Sequence, residues 1–304
     1  MKKITTSLLM MVLALPSTLS ALELDKDGYY LIHNADELVQ YREASEKKSG
    51  INGRLAADID LSSVCGIING DTINWEPINS PKSSFDGANH TISNFYYNSP
   101  DSSNVGFFKE IKQVSNLILK NAYVKGNKNV IGFDKEKKID NCHFEGIVEG
   151  GDNISVMTCD TLTNSSNYGC CFGNENVFGM IANKYVENCY NRGDIYGTKK
   201  TAAFRSEYLG DQRNLYNVGK IRSDIGEDGI SNSSSISYCY VLDTFSTSFD
   251  RNKNKSESFY IFPLSKFNDG SVADSLNKYV TVHPKSDNNC QLLSWGQGKD
   301  GFPH

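Results

Sequence analysis

Carboxylates are the first residues to consider for chemistry. A glycosidase needs two acids flanking the scissile bond, one of them with a raised pKa, and Asp58 with Asp60, or Asp86 with Glu110, are the pairs available. Asp58 and Asp60 alternate with Ile59, as solvent-facing positions of a strand do, and acids on a polar surface are ordinarily just solvated. The five histidines do not add a partner. His33, His90, His143, His283 and His304 stand singly, with neither metal-ligand spacing nor a Ser/His/Asp or Cys/His constellation. No glycine-rich phosphate loop occurs, so the residues assign no catalytic group, no metal site and no cofactor.

Sulfur is the other reactive element. The chain has 8 cysteines without a CxxC pair. Cys142, Cys189 and Cys239 recur at one position of a repeated phrase and are expected to be small apolar residues of a buried column. Cys65 and Cys290 lie towards the ends. Cys159, Cys170 and Cys171 fall in a Ser/Asn/Gly-rich stretch, and a disulfide from Cys159 to Cys170 or Cys171 is expected to tie down a loop too polar to hold itself.

The repeated phrase identifies the elements. VENCYNRGDIYG at Val186 matches IDNCHFEGIVEG at Ile139; VSNLILKNAYVKG at Val114, RNLYNVGKI at Arg213 and ISYCYVLD at Ile236 follow the same skeleton. Aligned on their asparagines, Asn94, Asn116, Asn141, Asn188 and Asn214 form one column with Tyr238 as its last member, at steps of 22, 25, 47, 26 and 24 residues. A period in the twenties indicates a solenoid, and the long step implies an insertion at about 151–176. Local alternation such as Ile-x-Asn-Cys-x-Phe is that of strands with one buried face, and neither leucine-rich nor helical repeats are present. A parallel β-helix follows, with Leu117, Cys142, Cys189, Leu215 and Cys239 as an inward column and the asparagines as a turn ladder. Gly106, Gly132, Gly179 and Gly229 recur at similar offsets and are expected at tight corners.

The flanks differ from the repeats. Lys2 and Lys3, the apolar run Leu8–Leu15 and the small residues Ser17–Ala21 describe a secretory signal peptide over 1–21. Residues 22–84 are expected to cap the first coil, with Asn34 and Glu37 opening a helix and Trp75, Pro77 and Ile78 packing beneath it. Repeats occupy 85–243, and 244–304 forms a C-terminal cap containing a polar linker at Arg251 and a short helix near Ser271–Tyr279. No later run is long and apolar enough for a transmembrane helix. The net charge of −5 argues against nucleic acid as a partner.

Together these residues resemble bacterial exported proteins with the GLUG motif, a glycine-containing apolar stretch followed by a unit like Val186-Glu-Asn-Cys-Tyr-Asn-Arg-Gly-Asp-Ile. GYYLIHNADELVQY, LAADIDL, FDGANHTISNF and the terminal Trp295-Gly-Gln and Gly301-Phe-Pro extend the likeness over nearly all of the mature sequence. The resemblance implies a right-handed parallel β-helix and an adhesin-like surface role; the motif also accompanies bacterial immunoglobulin A1 protease regions. Ala202-Ala-Phe replaces a glycine pair here, and the zinc-protease HExxH signature is absent from the sequence. Also absent are the Asn-Thr-Asp, Asp-Asp, Gly-His-Gly and Arg-Ile-Lys runs of β-helical polysaccharide hydrolases. The expected function is therefore non-enzymatic binding of carbohydrate or a cell-surface protein by an exported chain, at the surface, in the periplasm or outside the cell, through the loop bearing Asp152, Tyr168 and Asn174. A polysaccharide lyase or glycoside hydrolase and a structural spacer are the competing readings.

Overall fold

The computed structural model describes residues 22–48, 50–206, 210–224, 228–231, 235–243 and 259–304. The expected signal peptide and the polar linker at Arg251 lie outside the described residues. The body is a parallel β-helix: strands of successive coils pair in parallel, position for position, into one wound sheet. Among the described residues the only antiparallel strand pair is the hairpin Gly66–Ile68 with Asp71–Ile73.

Each coil is built from the alternation in the sequence. In the pairing Val114–Ile139–Leu162–Val186 the same inward position recurs one coil apart, and all four side chains are fully buried. Burial of an aliphatic or phenyl side chain contributes about 1.5–3 kcal/mol, so a continuous interior is the main stabilising term. Towards the N-terminal end it is aromatic: Phe107 packs edge-on to Phe108 at 4.9 Å and lies flat against Trp75 at 5.2 Å. Trp75 is itself buried and donates its indole N–H to the Phe107 carbonyl at 3.1 Å.

Corners are made by asparagine. Asn94, Asn116, Asn141, Asn188 and Asn214 all have φ between 52° and 61°, and Tyr238 shares that conformation at 55°. Left-handed backbone is tolerated by Asn because its short amide bonds locally. A second corner carries Asn104, Asn129, Asn153 and Asn176, with Lys200 last. Gly106 is in a bend just after the Asn104 corner, but the other glycines expected at corners are elsewhere. Gly132 and Gly179 lie inside the strands Lys128–Asp140 and Glu175–Glu187, where a Cβ on Gly132 would come within 2.7 Å of Phe144. Gly132 makes room for the Phe144 ring and Gly179 for the Ala203 carbonyl of the next coil, and neither turns the chain.

The stretch 151–176 is not an insertion. It forms the strands Asp152–Thr163, Ser166–Asn167 and Cys170–Phe172, which pair with the coils before and after. Asn164, with φ of 52°, is the corner missing from the 47-residue step, and Ser165 stands between Cys142 and Cys189 in the inward column. Cys142 and Cys189 are therefore two coils apart.

Helices lie near both ends of the described residues. Helix α1, Ala35–Lys47, starts at Asn34, whose side chain accepts from the Glu37 N–H at 3.0 Å. Glu37 reaches back to the His33 N–H at 2.8 Å, one residue earlier than a simple capping box would place it. Leu38 and Tyr41 are buried under α1 against the first coils. At the other end, α2 (Leu264–Asn268) and α3 (Ser271–Val282) lead into a tail that lies along the flank of the later coils. Phe267, Leu276, Tyr279, Leu292 and Trp295 cover Tyr190, Tyr216 and Tyr240 there.

Candidate functional site

The flank against which the tail lies carries one outward column. Ile118, His143, Ser166, Tyr190, Tyr216 and Tyr240 occupy the same position in successive coils. The tail covers its later members; Tyr190 and Tyr216 are stacked at 4.9 Å with Trp295 against both. The earlier members are left beside an open groove of about 770 Å³ between the sheet and residues 293–304.

The groove sets charged and amide groups among mainly apolar and aromatic walls. Its lining includes Lys120, His143, Glu145, Tyr168, Arg192, Trp295, Asp300 and His304. Tyr168 is 39% exposed and bonds the hydroxyl of Tyr190 at 2.6 Å. Arg192 lies against the rings of Tyr168, Tyr190 and Phe302 at 5.0–5.8 Å and pairs with Asp300 at 2.7 Å. Lys120 pairs with Glu145 at 3.6 Å. The Trp295 indole donates to the Asn188 side-chain oxygen at 2.7 Å, which fixes the tail wall to a corner of the ladder.

One contact in the groove has the form of a nucleophile and its base. His143 Nδ1 is 2.6 Å from Ser166 Oγ, and burial pushes the imidazole pKa down, favouring the neutral ring. Ser166, however, is fully buried in the sheet, so its hydroxyl has no path to a substrate, and the pair holds the column together.

The carboxylates considered from sequence are occupied in other ways. Asp58 accepts from the Thr91 N–H at 2.9 Å and contacts His90 at 3.1 Å; Asp60 accepts from Asn94 at 2.7 Å. Those bonds hold both acids below the usual carboxylate range, the opposite of a general acid's requirement. Asp86 accepts from Arg54 at 2.9 Å and from Asn116 at 3.0 Å.

The expected binding loop is a coil, and its three residues do not converge. Asp152 opens a strand and pairs with Lys128 at 3.3 Å. Asn174 follows at the same corner one coil on, its backbone carbonyl accepting from Thr198 and Lys199. Tyr168 lies in the groove at a different corner, after the strand Ser166–Asn167. The expected disulfide is absent as well: none of the 8 cysteines is in a disulfide. Cys159 and Cys171 are buried inward residues with no loop to tie, and burial pushes the Cys171 thiol well up. Leu117, Cys142, Cys189, Leu215 and Cys239 are all buried in the interior.

The ladder itself is a set of side-chain bonds. Asn141 donates to Asn116 at 2.9 Å, Asn188 to Asn164 at 2.7 Å and Asn214 to Asn188 at 2.7 Å. At the second corner Asn129 donates to Asn104, Asn153 to Asn129 and Asn176 to Asn153. Asn94, expected in the first column, is not in it: Ser93 pairs with Lys120, which sets Asn94 opposite Asn121, and the Asn121 amide donates to it. A third, fully buried row runs through Asn167, Asn191 and Asn217, each donating to the carbonyl of a glycine two residues on. The signal for that row is the spaced Asn-x-Gly at Asn167, Asn191 and Asn217, and the glycine is obligatory because a Cβ on Gly193 would come within 1.8 Å of the Gly169 carbonyl.

No family model matches the chain, so the likeness to GLUG repeats stays with the residues that carry it, and no curated protein matches either. Among solved structures, a Bacteroides ovatus protein described as a candidate immunoglobulin A1 protease is similar over 92% of each chain, with 17% identity and a TM-score of 0.43.

Proposed function

We propose that the protein is an exported β-helical binding protein whose flank groove holds a carbohydrate. The observation that carries this reading is the half-exposed Tyr168 ring in an open groove of about 770 Å³, beside Arg192, Glu145, Lys120 and two imidazoles. Sugars present an apolar face for an aromatic ring and hydroxyls for charged and amide groups, and sites for small ligands combine the two. The groove is supported by a stacked sheet, so its walls are in place before a ligand arrives, which reduces the ordering cost of binding.

A glycan array probed with the purified chain, followed by titration of the best ligand against Tyr168→Ala, tests the reading. The substitution is expected to weaken binding at least 10-fold by removing the ring platform while the sheet beneath stays folded. Binding that is unchanged in Tyr168→Ala, or an array with no ligand, would reject the groove. Scoring the bound glycans for new reducing ends or unsaturated products in the same experiment addresses turnover.

A further inference from the structure

We infer that the groove selects a sugar bearing a carboxylate, which takes Arg192 from Asp300. This rests on the groove being a carbohydrate site. Arg192 is built into place: its side chain is 12% exposed and lies among three aromatic rings, with one weak bond to the Tyr168 hydroxyl at 3.4 Å. Its ion pair is made through Nη1 alone, to a carboxylate that is itself 54% exposed. Nε and Nη2, which share the side-on edge of the guanidinium, are buried without a well-formed hydrogen bond, although the Tyr216 hydroxyl lies close to the guanidinium. A guanidinium has five donors in a rigid fork matched to a carboxylate, and leaving two of its nitrogens unpaired in a buried site is unfavourable. A structural anchor for the tail would gain from using that edge; a recognition group held for an incoming acid would keep it.

Asp300 is suited to give way. It sits in a turn closed by the Gly301 N–H bonding to the Gly298 carbonyl at 3.0 Å, with Gly301 at φ of 84°, a conformation available chiefly to glycine. Phe302 on the same turn covers Arg192, so a shift of this turn opens the fork as it removes the competing carboxylate. Lys299 adds a further cation to the lining beside Arg192 and Lys120. Asp300 thus competes in cis, through Nη1, with a hexuronate or sialic acid carboxylate for the same guanidinium.

Titration of the full chain with trigalacturonate, 3′-sialyllactose, and the carboxyl-reduced form of each tests this. The acid form of one sugar is expected to bind at least 10-fold more tightly than its reduced counterpart, and which acid does so identifies the source. Asp300→Asn should raise that acid-over-reduced ratio several-fold, and Arg192→Lys, which keeps charge without the fork, should collapse it. Equal binding of acid and reduced sugars by the unaltered chain overturns the inference and leaves the carbohydrate reading standing; no binding of any sugar on the array overturns both. The wild-type comparison decides the matter even if a variant fails to fold.

Discussion

Asn164 shows how much one side chain carries in a stacked corner. It donates to Asp140 at 2.8 Å and to the Gln291 carbonyl at 2.9 Å, and accepts from Asn188 at 2.7 Å and the Leu293 N–H at 2.9 Å. Asn164→Ala therefore combines a left-handed backbone cost of about 1–2 kcal/mol with buried groups left unpaired, each about 1 kcal/mol or more. Urea unfolding should show a loss of about 3 kcal/mol. Asn164→Gly keeps the φ and should recover about 1 kcal/mol of that; equal losses would mean the backbone conformation is not what asparagine supplies. This same residue was invisible in the sequence. The polar run Thr163-Asn164-Ser165-Ser166-Asn167 has the composition of a loop, yet in the fold all five side chains are buried, because each polar group finds its partner in an adjacent coil. Hydropathy finds a strand by its apolar face, and here hydrogen bonds replace that face. The Leu/Cys positions and Asn116, Asn141, Asn188 and Asn214 were legible because their period repeats, whereas Asn94 fits the spacing yet stacks on Asn121; Arg192, Trp295 and Asp300 were not, since their meeting depends on how the tail returns.

At the scale of elements, the docking of α3 against the sheet centres on one buried acid. Glu187 is 1% exposed, accepts from the Tyr279 hydroxyl at 2.6 Å, and has no partner for its second oxygen. Burial pushes its pKa up against the weaker effects of the Tyr279 hydrogen bond and the fields of Arg213 and His283, while Asp287 adds to the rise. The folded state thus prefers the neutral acid, so this contribution to stability is complete below the unfolded-chain pKa and is lost as pH rises through the raised folded value. Glu187→Gln removes the ionisation without shortening the side chain. Thermal melts should show the variant gaining on the unaltered protein as pH rises from 4 to 8, with the difference smallest at the acid end. A difference independent of pH would show that Glu187 does not ionise on this path. Helix α1 was readable from Asn34 and Glu37, whereas the path of α2, α3 and the tail along a flank was not, because nothing periodic in 259–304 states which surface it covers.

For the whole molecule, a solenoid's stability is close to a sum over coils and their interfaces, so a whole coil should be removable where part of one is not. Excising Leu117–Asn141 joins Asn116 to Cys142 and keeps the inward column in register. Ser115, which pairs with Asp140 one coil on, would then face Asn164, a bond weakened by about 1 kcal/mol relative to a carboxylate. Cooperative thermal unfolding should survive, and small-angle scattering should find the body shorter by about 4.8 Å. Excising Leu117–Lys128 instead misaligns every later corner and should abolish the cooperative transition. If both deletions behave alike, the coils do not act as separable units.

The first-corner rungs have a direction. Asn116 donates to a carboxylate, that of Asp86, and the rungs beyond it hand their donors back towards the amino end, until the side-chain oxygen of Asn214 is reached, buried and unpaired, where Tyr238 stands in place of a sixth amide. The stack is thus a plug at one end and a socket at the other. A duplicated coil spliced in after Asn214 would give that waiting oxygen a donor and leave its own bare in turn, and one spliced in ahead of Asn116 would donate to Asp86 and accept from Asn116; either way the open acceptor stays at the carboxyl end of the stack.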